Sequence, residues 1–555
     1  MTESKLVAGL RRLSDGDKRL LNGFIVMAVL ALALGLIYGA MTAFARAGFI
    51  DLDRRTAYQM LTLHGVTIFF YWLYFVQAGL VLVLTIAYTK GAEKVTLRPF
   101  AWLGFALMVA GFVLSELTPA LGAILLYDGQ PHLIEVNPVL AGFFYLGYIL
   151  LGVGLFLVAV SSIATALEPK FAGKIETWSS VTFATVAWAG LLMVSAVGAI
   201  NAFLPAMLWT FGLGPPVTGY TMGWNVLFHN VHYLPLMATV VVWYALVEAM
   251  TGVTSIFGQR FSKIVFTLYL VFVPPTSLYH MFLEPDLAEV VKVIGSLLSL
   301  FMGLPTVLVF LVIVVSLEVH ARANGGRGLF GWMRMLPWDN PAMAAIGMAV
   351  VNLALGGVFS YVLIQERVAP LLSDTFFVPG YFHFLTLGTV SLTFIAILTY
   401  VIPALTGRAL WRPAVLVKAP YIITFGLSIF GAAGIAAGYL GVPRRVFDVS
   451  YEGSAPALWE PLMAGVGVGS VFMTAGLAIY VYGLIRTLVG PVRATEAETT
   501  GLPAVSWAGV AVSRQSAWVG PLSVVVLIGA MFVFTVVAFE VMESLPVVAT
   551  GGGAH

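Results

Sequence analysis

Cysteine is absent from the chain, and that removes several chemistries at once. Disulfides, iron–sulfur clusters, thiolate-ligated haem and covalently attached c-type haem all require it. Charge is scarce as well: Asp, Glu, Lys and Arg make up 10% of the 555 residues, with a formal net charge of +2. No basic tract points to nucleic acid as a partner. Linkers, internal repeats and low-complexity tracts are also missing, so nothing divides residues 1–555 into more than one domain.

Apolar residues fill the rest. The chain is 60% hydrophobic, with a mean hydropathy of +0.97. Apolar runs long enough to cross a bilayer recur along its length, which identifies an all-α polytopic membrane protein. About 13 spans are expected, starting near residues 21, 58, 98, 139, 178, 217, 262, 288, 342, 376, 416, 457 and 516. With the N-terminus in the cytoplasm, only Arg46, Arg54, Arg55, Lys292, Arg367, Arg444 and Arg445 of the 28 Lys and Arg fall outside. That is roughly a three-to-one bias in the direction of the positive-inside rule. An odd helix count puts the C-terminus outside. The first apolar run is too long for a secretory signal and reads as a retained helix.

Eight histidines remain to be explained. His132 in an outer loop, His320 at a cytoplasmic helix end and His555 at the terminus read as solvated or interfacial. His64, His229, His232, His280 and His383 lie in or at the ends of apolar spans, all in the outer half of the membrane by this topology. Ionisable groups inside a membrane are costly and mark functional sites, so these five are candidates for metal or haem ligation; an ordinary hydrogen-bonded core histidine is the alternative for any one of them. His229, His232 and Tyr233 are three and four residues apart and share a helix face. Tyr381 and His383, two apart, point to opposite sides of a helix, so that helix could stand between two cofactors. Arg444-Arg445 lies outside at the level where cofactor carboxylates would project and suits bidentate binding; lipid head groups are the alternative partners.

Several motifs resemble subunit I of the haem–copper oxygen reductases, most closely the B-type branch that includes the ba-type cytochrome c oxidases. They are Leu61-Thr62-Leu63-His64-Gly65-Val66, Gly325-Gly326-Arg327-Gly328-Leu329-Phe330-Gly331-Trp332, Leu336-Pro337-Trp338-Asp339-Asn340-Pro341, Val378-Pro379-Gly380 and Val442-Pro443-Arg444-Arg445. The resemblance implies a low-spin haem clamped by His64 and His383, with its propionates on Arg444 and Arg445. It implies copper on His229, which is joined to Tyr233 in the family, and a proton path through Tyr244, Ser296 and Ser299. Two positions depart from the family pattern. Tyr381 stands where the proximal histidine of the high-spin haem belongs, and Tyr279-His280-Met281 replaces a His-His pair that ligates copper.

Two readings follow. In the first the protein is a divergent terminal reductase of O2, with tyrosinate from Tyr381 on the second haem and copper held by His229 and His280 with His232 or Met281. A nitric oxide reductase is a close variant, with Glu284 as a candidate carboxylate. In the second it is an electron-transfer subunit that keeps only the low-spin haem. The resemblance further implies a prokaryotic inner-membrane location and a small subunit II-like partner with a periplasmic copper domain. The electron donor would be a soluble cytochrome c or cupredoxin, or a quinol.

Overall fold

A computed structural model describes residues 4–125, 137–216, 230–253, 256–273, 289–363, 365, 368–448 and 453–491. After a short leading helix, Lys5–Arg11, the described chain is a succession of long helices. In order they are α1 (Asp15–Arg46), α2 (Arg54–Tyr88), α3 (Arg98–Ala120), α4 (Pro138–Phe171), α5 (Ser180–Thr210) and α6 (Asn230–Thr251). There follow α7 (Gln259–Phe272), α8 (Glu289–Ala323), α9 (Pro341–Leu363), α10 (Phe377–Thr406), α11 (Pro413–Tyr439) and α12 (Trp459–Val489). All but α7 contribute a stretch long and apolar enough to cross a membrane, 11 among the described residues. The expected seventh span is described only over the 14 residues of α7, and the thirteenth, near residue 516, lies outside the described residues.

Local sequence starts these helices where it should. Ser14, Asp53, Asn137 and Ser179 each accept a backbone N–H in the first turn of α1, α2, α4 and α5, satisfying donors that a helix start leaves unpaired. Asp53 accepts from both the N–H (3.0 Å) and the hydroxyl (2.6 Å) of Thr56, and these bonds hold its carboxyl below the usual range. Between α3 and α4 packing is backbone on backbone: a Cβ at Gly104 would lie 2.7 Å from the Gly154 carbonyl, and one at Gly111 2.6 Å from that of Gly147. Small residues at such spacings let membrane helices approach closely.

Three helices are the most interior: α6, with 89% of its apolar stretch buried, and the pair α2 and α10. In α2 and α10, 94% and 83% of the apolar stretch is buried inside the protein, against 33% in α3. Both carry a π-helical segment part-way along, Val66–Trp72 in α2 and Thr386–Ser391 in α10. The indole N–H of Trp72, which ends the first segment, donates to the hydroxyl of Ser391, which ends the second, at 2.9 Å. Such segments cluster at functional sites.

His320 is corrected by the fold. It is 4% exposed, buried rather than solvated. The loop after α8 folds back over the helix end, with Gly326 N–H on the Ala321 carbonyl and Arg322 on the Gly328 carbonyl.

Candidate functional site

The first π-helical segment begins two residues after His64 and the second three residues after His383. The two imidazoles face each other across the interior, with ring centroids 6.4 Å apart and ring planes within 8° of parallel. His64 Nδ1 lies 3.0 Å from the Gly35 carbonyl oxygen of α1, and His383 Nδ1 lies 2.7 Å from the Pro379 carbonyl oxygen one turn back in α10. A carbonyl can only accept, so each Nδ1 carries the proton and each Nε2 is left as the lone-pair nitrogen. Phe430 of α11 packs on the His383 ring at 4.7 Å.

The spacing can be tested against chemistry. Imidazole binds a metal at about 2.0–2.1 Å, and the ring centre lies about 1.1 Å behind the nitrogen. Two imidazoles on opposite sides of one metal therefore have centroids about 6.2–6.4 Å apart. The pair has that separation, as a bis-imidazole iron porphyrin requires. Among the described residues, no group of three or more His, Cys, Asp or Glu could hold a bare metal ion. Two axial nitrogens whose remaining ligands come from a porphyrin suit these residues better.

Glycines make room for the ring. A Cβ at Gly39 would lie 2.6 Å from His64 Cε1 and Nδ1. Gly35, four residues earlier and so on the same face of α1, supplies the carbonyl. A sequence search for ionisable residues passes over both.

Just ahead of α10, Phe376 N–H donates to the Val442 carbonyl at 2.7 Å, and Thr375 bridges Pro443. Those bonds tie Pro443-Arg444-Arg445 to the start of α10. Arg46 of α1 is 4% exposed and donates to the carbonyls of Pro443, at 2.7 Å, and of Arg444. Tyr58 of α2 donates to the Arg445 carbonyl at 2.8 Å. Arg444 pairs with Asp374 at 2.9 Å, yet its Nε is buried with no hydrogen-bond partner. A buried, unpaired guanidinium nitrogen on the segment bonded to the start of α10, the helix that carries His383, fits a porphyrin carboxylate. Charge counting placed Arg46 in the outer set and gave no sign of this clamp.

These observations agree with the comparisons to known proteins. The family described as cytochrome c and quinol oxidase polypeptide I matches residues 19–472. The chain belongs to that family. Cytochrome c oxidase subunit 1 of Thermus thermophilus is 29% identical over 513 residues, covering 88% of this chain and 87% of the relative. Cytochrome c oxidase subunit 1 of Bacillus subtilis is 23% identical over 461 residues, 78% of this chain and 68% of the relative. The fold matches a solved heme-copper terminal oxidase dimer with TM-score 0.78 at 23% identity, covering 94% of this chain and 92% of the other. This subunit I is thus a multi-pass respiratory membrane protein and an oxidoreductase of the terminal oxidase type. Its family binds haem and copper, and its members pair with a subunit II and take electrons from cytochrome c or quinol.

The remaining expected site residues separate into two sets. Tyr381 is 7% exposed and sits in an apolar cluster with Val362, Leu363, Leu372 and Phe377, apart from the main core. Its ring is 5.9 Å from Phe377 and 6.3 Å from Phe382. Tyr233 is partly buried against the main core in α6. His229, His280, Met281 and Glu284 lie outside the described residues, as do the side chains of His232, Ser296 and Ser299. Tyr244 shares a hydrogen bond with Ser262 of α7 at 3.0 Å, and Tyr269 shares one with Thr306 of α8 at 3.0 Å. Ser262, Tyr269 and Thr306 were not singled out from sequence; lone hydroxyls in apolar helices are the only signal they give.

Proposed function

We propose that this subunit I takes electrons in through a low-spin haem held by His64 and His383 and passes them to a modified haem/copper site that reduces O2. The observation that carries the entry step is the parallel imidazole pair at 6.4 Å, with both Nδ1 atoms committed to carbonyls. Bound there, a bis-imidazole haem supplies one-electron transfer with little change in ligand geometry. Arg444, positioned by Arg46 and Asp374, and Arg445, positioned by Tyr58, would hold its carboxylates. The Trp72–Ser391 bond ties α2 to α10, the helices that carry the two histidines.

For the second site the proposed ligands are Tyr381 on a high-spin haem and His229 and His280 on copper, with His232 or Met281 completing the set and Tyr233 as a reactive phenol. Tyrosinate is an established haem ligand and holds the ferric state at low potential. NO in place of O2 is a variant. Hydroxyls of Tyr244, Ser262, Tyr269 and Thr306, with Ser296 and Ser299, form the proposed proton route. The partners proposed are a subunit II-like protein with a periplasmic copper domain and a soluble cytochrome c, cupredoxin or quinol as donor. The setting is a prokaryotic inner membrane, with residues 1–555 as one membrane domain, N-terminus inside and C-terminus outside.

A second reading, an electron-transfer subunit with only the first haem, draws support from the apolar setting of Tyr381. Haem and copper per purified polypeptide, with reduced-minus-oxidised and CO-difference spectra, decide between them. Two haems, one of them CO-reactive, together with copper support the reductase. A single low-spin haem without copper or CO response refutes it.

A further inference from the structure

A carboxyl that no step so far uses is hydrogen-bonded to Thr67, three residues after His64. Glu116 lies near the outer end of α3, the same half of the bundle as His64. The hydroxyl of Thr67 donates to its Oε1, and the hydroxyl of Tyr38 faces the same carboxyl. Oε2 is buried and has no hydrogen-bond partner. Among the described residues no Lys or Arg pairs with it. Both contacting side chains belong to the structure that seats His64. Thr67 follows His64 by three residues, about 4.5 Å along the helix axis. Tyr38 lies between Gly35, whose carbonyl takes the His64 proton, and Gly39, against which the ring rests.

We propose that Glu116 is a proton-binding site coupled to the redox state of the centre held by His64 and His383, an inference that rests on the haem assignment above. The argument is electrostatic. A carboxylate inside a membrane span is unfavourable unless compensated, and two hydroxyls compensate it only partly. The remaining compensation on the elements that seat His64 is the positive charge of the oxidised centre. One electron from a one-electron donor cancels that charge, so one proton from water moves onto a carboxylate oxygen of Glu116. Oxidation returns both. In a low-dielectric interior the coupling is strong and little screened.

Other titratable groups on the packed elements do not offer the same chemistry. α1 presents Tyr38. α2 presents Tyr71, whose hydroxyl shares a hydrogen bond with Ser115 at 2.8 Å, and Gln59, which donates to the Pro119 and Ala120 carbonyls. Arg55 of α2 reaches the level of Gly122, beyond the end of α3. α4 presents Tyr145 and Tyr148, whose rings stack on Phe203 at 5.9 and 4.5 Å. Phenols ordinarily titrate near pH 10 and guanidinium higher still, so Glu116 is the one carboxyl of this cluster and the group whose proton a change of nearby charge can move. Asp374 and the haem carboxylates at Arg444 are the rival acceptors, at the outer rim.

The test is redox titration of the low-spin band of the haem-loaded protein at a series of pH values, with redox-difference infrared spectra in H2O and D2O. In the wild type the midpoint should fall as pH rises, by at most about 59 mV per tenfold change in proton concentration, with a D2O-sensitive carboxyl band. Glu116→Gln should remove the band and flatten the slope, and Glu116→Asp should retain both at shifted positions. A slope and band that survive Glu116→Gln belong to the rim carboxylates and overturn the proposal. So does a pH-independent wild-type midpoint in a protein with a normal low-spin spectrum. Absence of that spectrum in the wild type would overturn the haem assignment and this proposal together. Should Glu116→Gln fail to hold haem, Thr67→Val decides: removing the donor to Oε1 must move the carboxyl band, and an unmoved band refutes the assignment.

Discussion

Gly39→Ala puts a single methyl group where the His64 ring now rests. The new Cβ would sit 2.6 Å from Cε1 and Nδ1, so to reach the 3.4 Å of ordinary contact the ring must retreat by about 0.8 Å, the difference of the two. The ring has little freedom to do so, because Nδ1 is held at 3.0 Å by the Gly35 carbonyl. Metal–ligand distances tolerate only about 0.2 Å, so the retreat is at the expense of the iron–nitrogen bond. Disturbing the support of a metal ligand lowers affinity about 10–100-fold, or roughly 1.4–2.8 kcal/mol. Fold stability responds differently. Alanine gains about 0.8–1 kcal/mol over glycine within a helix, while overpacking costs about 1–3 kcal/mol. The expected variant is therefore near-normal in folding and deficient in low-spin haem. Haem content and the reduced-minus-oxidised spectrum are the assay. Gly357→Ala on α9, where an added Cβ meets nothing within 4 Å, is the control and should keep the full spectrum. A Gly39→Ala protein with wild-type haem content and an unshifted band would refute the geometry of the His64 seat.

Other perturbations probe neighbouring parts of the site. His64→Ala and His383→Ala should each abolish the low-spin spectrum, and an unchanged spectrum in either would show that the ligand pair is misassigned. Arg46→Met leaves the Pro443 and Arg444 carbonyls without their charged donor; at about 1.5–3 kcal/mol for a bond to a charged group, thermal stability should drop measurably, and an unchanged melting curve would argue against the clamp. Trp72→Phe removes the 2.9 Å bond to Ser391 and strands a buried hydroxyl, at a cost of about 1–3 kcal/mol; broadened electron paramagnetic resonance lines of the ferric low-spin haem are the expected sign that α2 and α10 have lost register. Arg444→Leu should lower the haem midpoint potential, since a nearby cation stabilises the carboxylates and with them the reduced state's extra electron; a potential that stays put would place the haem carboxylates elsewhere.

Much of the fold was legible because a bilayer leaves so few options. Backbone groups in hydrocarbon must bond within their own segment, so long apolar runs can only be helices, and 11 of the expected spans are present among the described residues. His64 and His383 stood out for a related reason: polar residues are rare in such helices and are retained where they bind something. Neutral or apolar support leaves a weaker trace. Gly35 and Gly39 look like any glycines of a membrane helix, and Trp72 and Ser391 lie more than three hundred positions apart. The burial of His320 depends on a loop folding back, which helical periodicity does not encode.

From the sequence alone came the membrane class, the exclusion of all cysteine chemistry and the pair of histidines able to hold a haem. The first two follow from composition, a property of residues one at a time; the pairing of His64 with His383 came from the family resemblance, since the cost of polarity in lipid marks five histidines alike. Only the tertiary structure decided that the two imidazoles stand parallel at the spacing of a shared metal, that Arg46 braces the arginine pair, and that Glu116 is fixed to the helices seating His64. Each is a distance between segments remote in the chain, set by which helices pack together and at what depth, and no local pattern of residues specifies it.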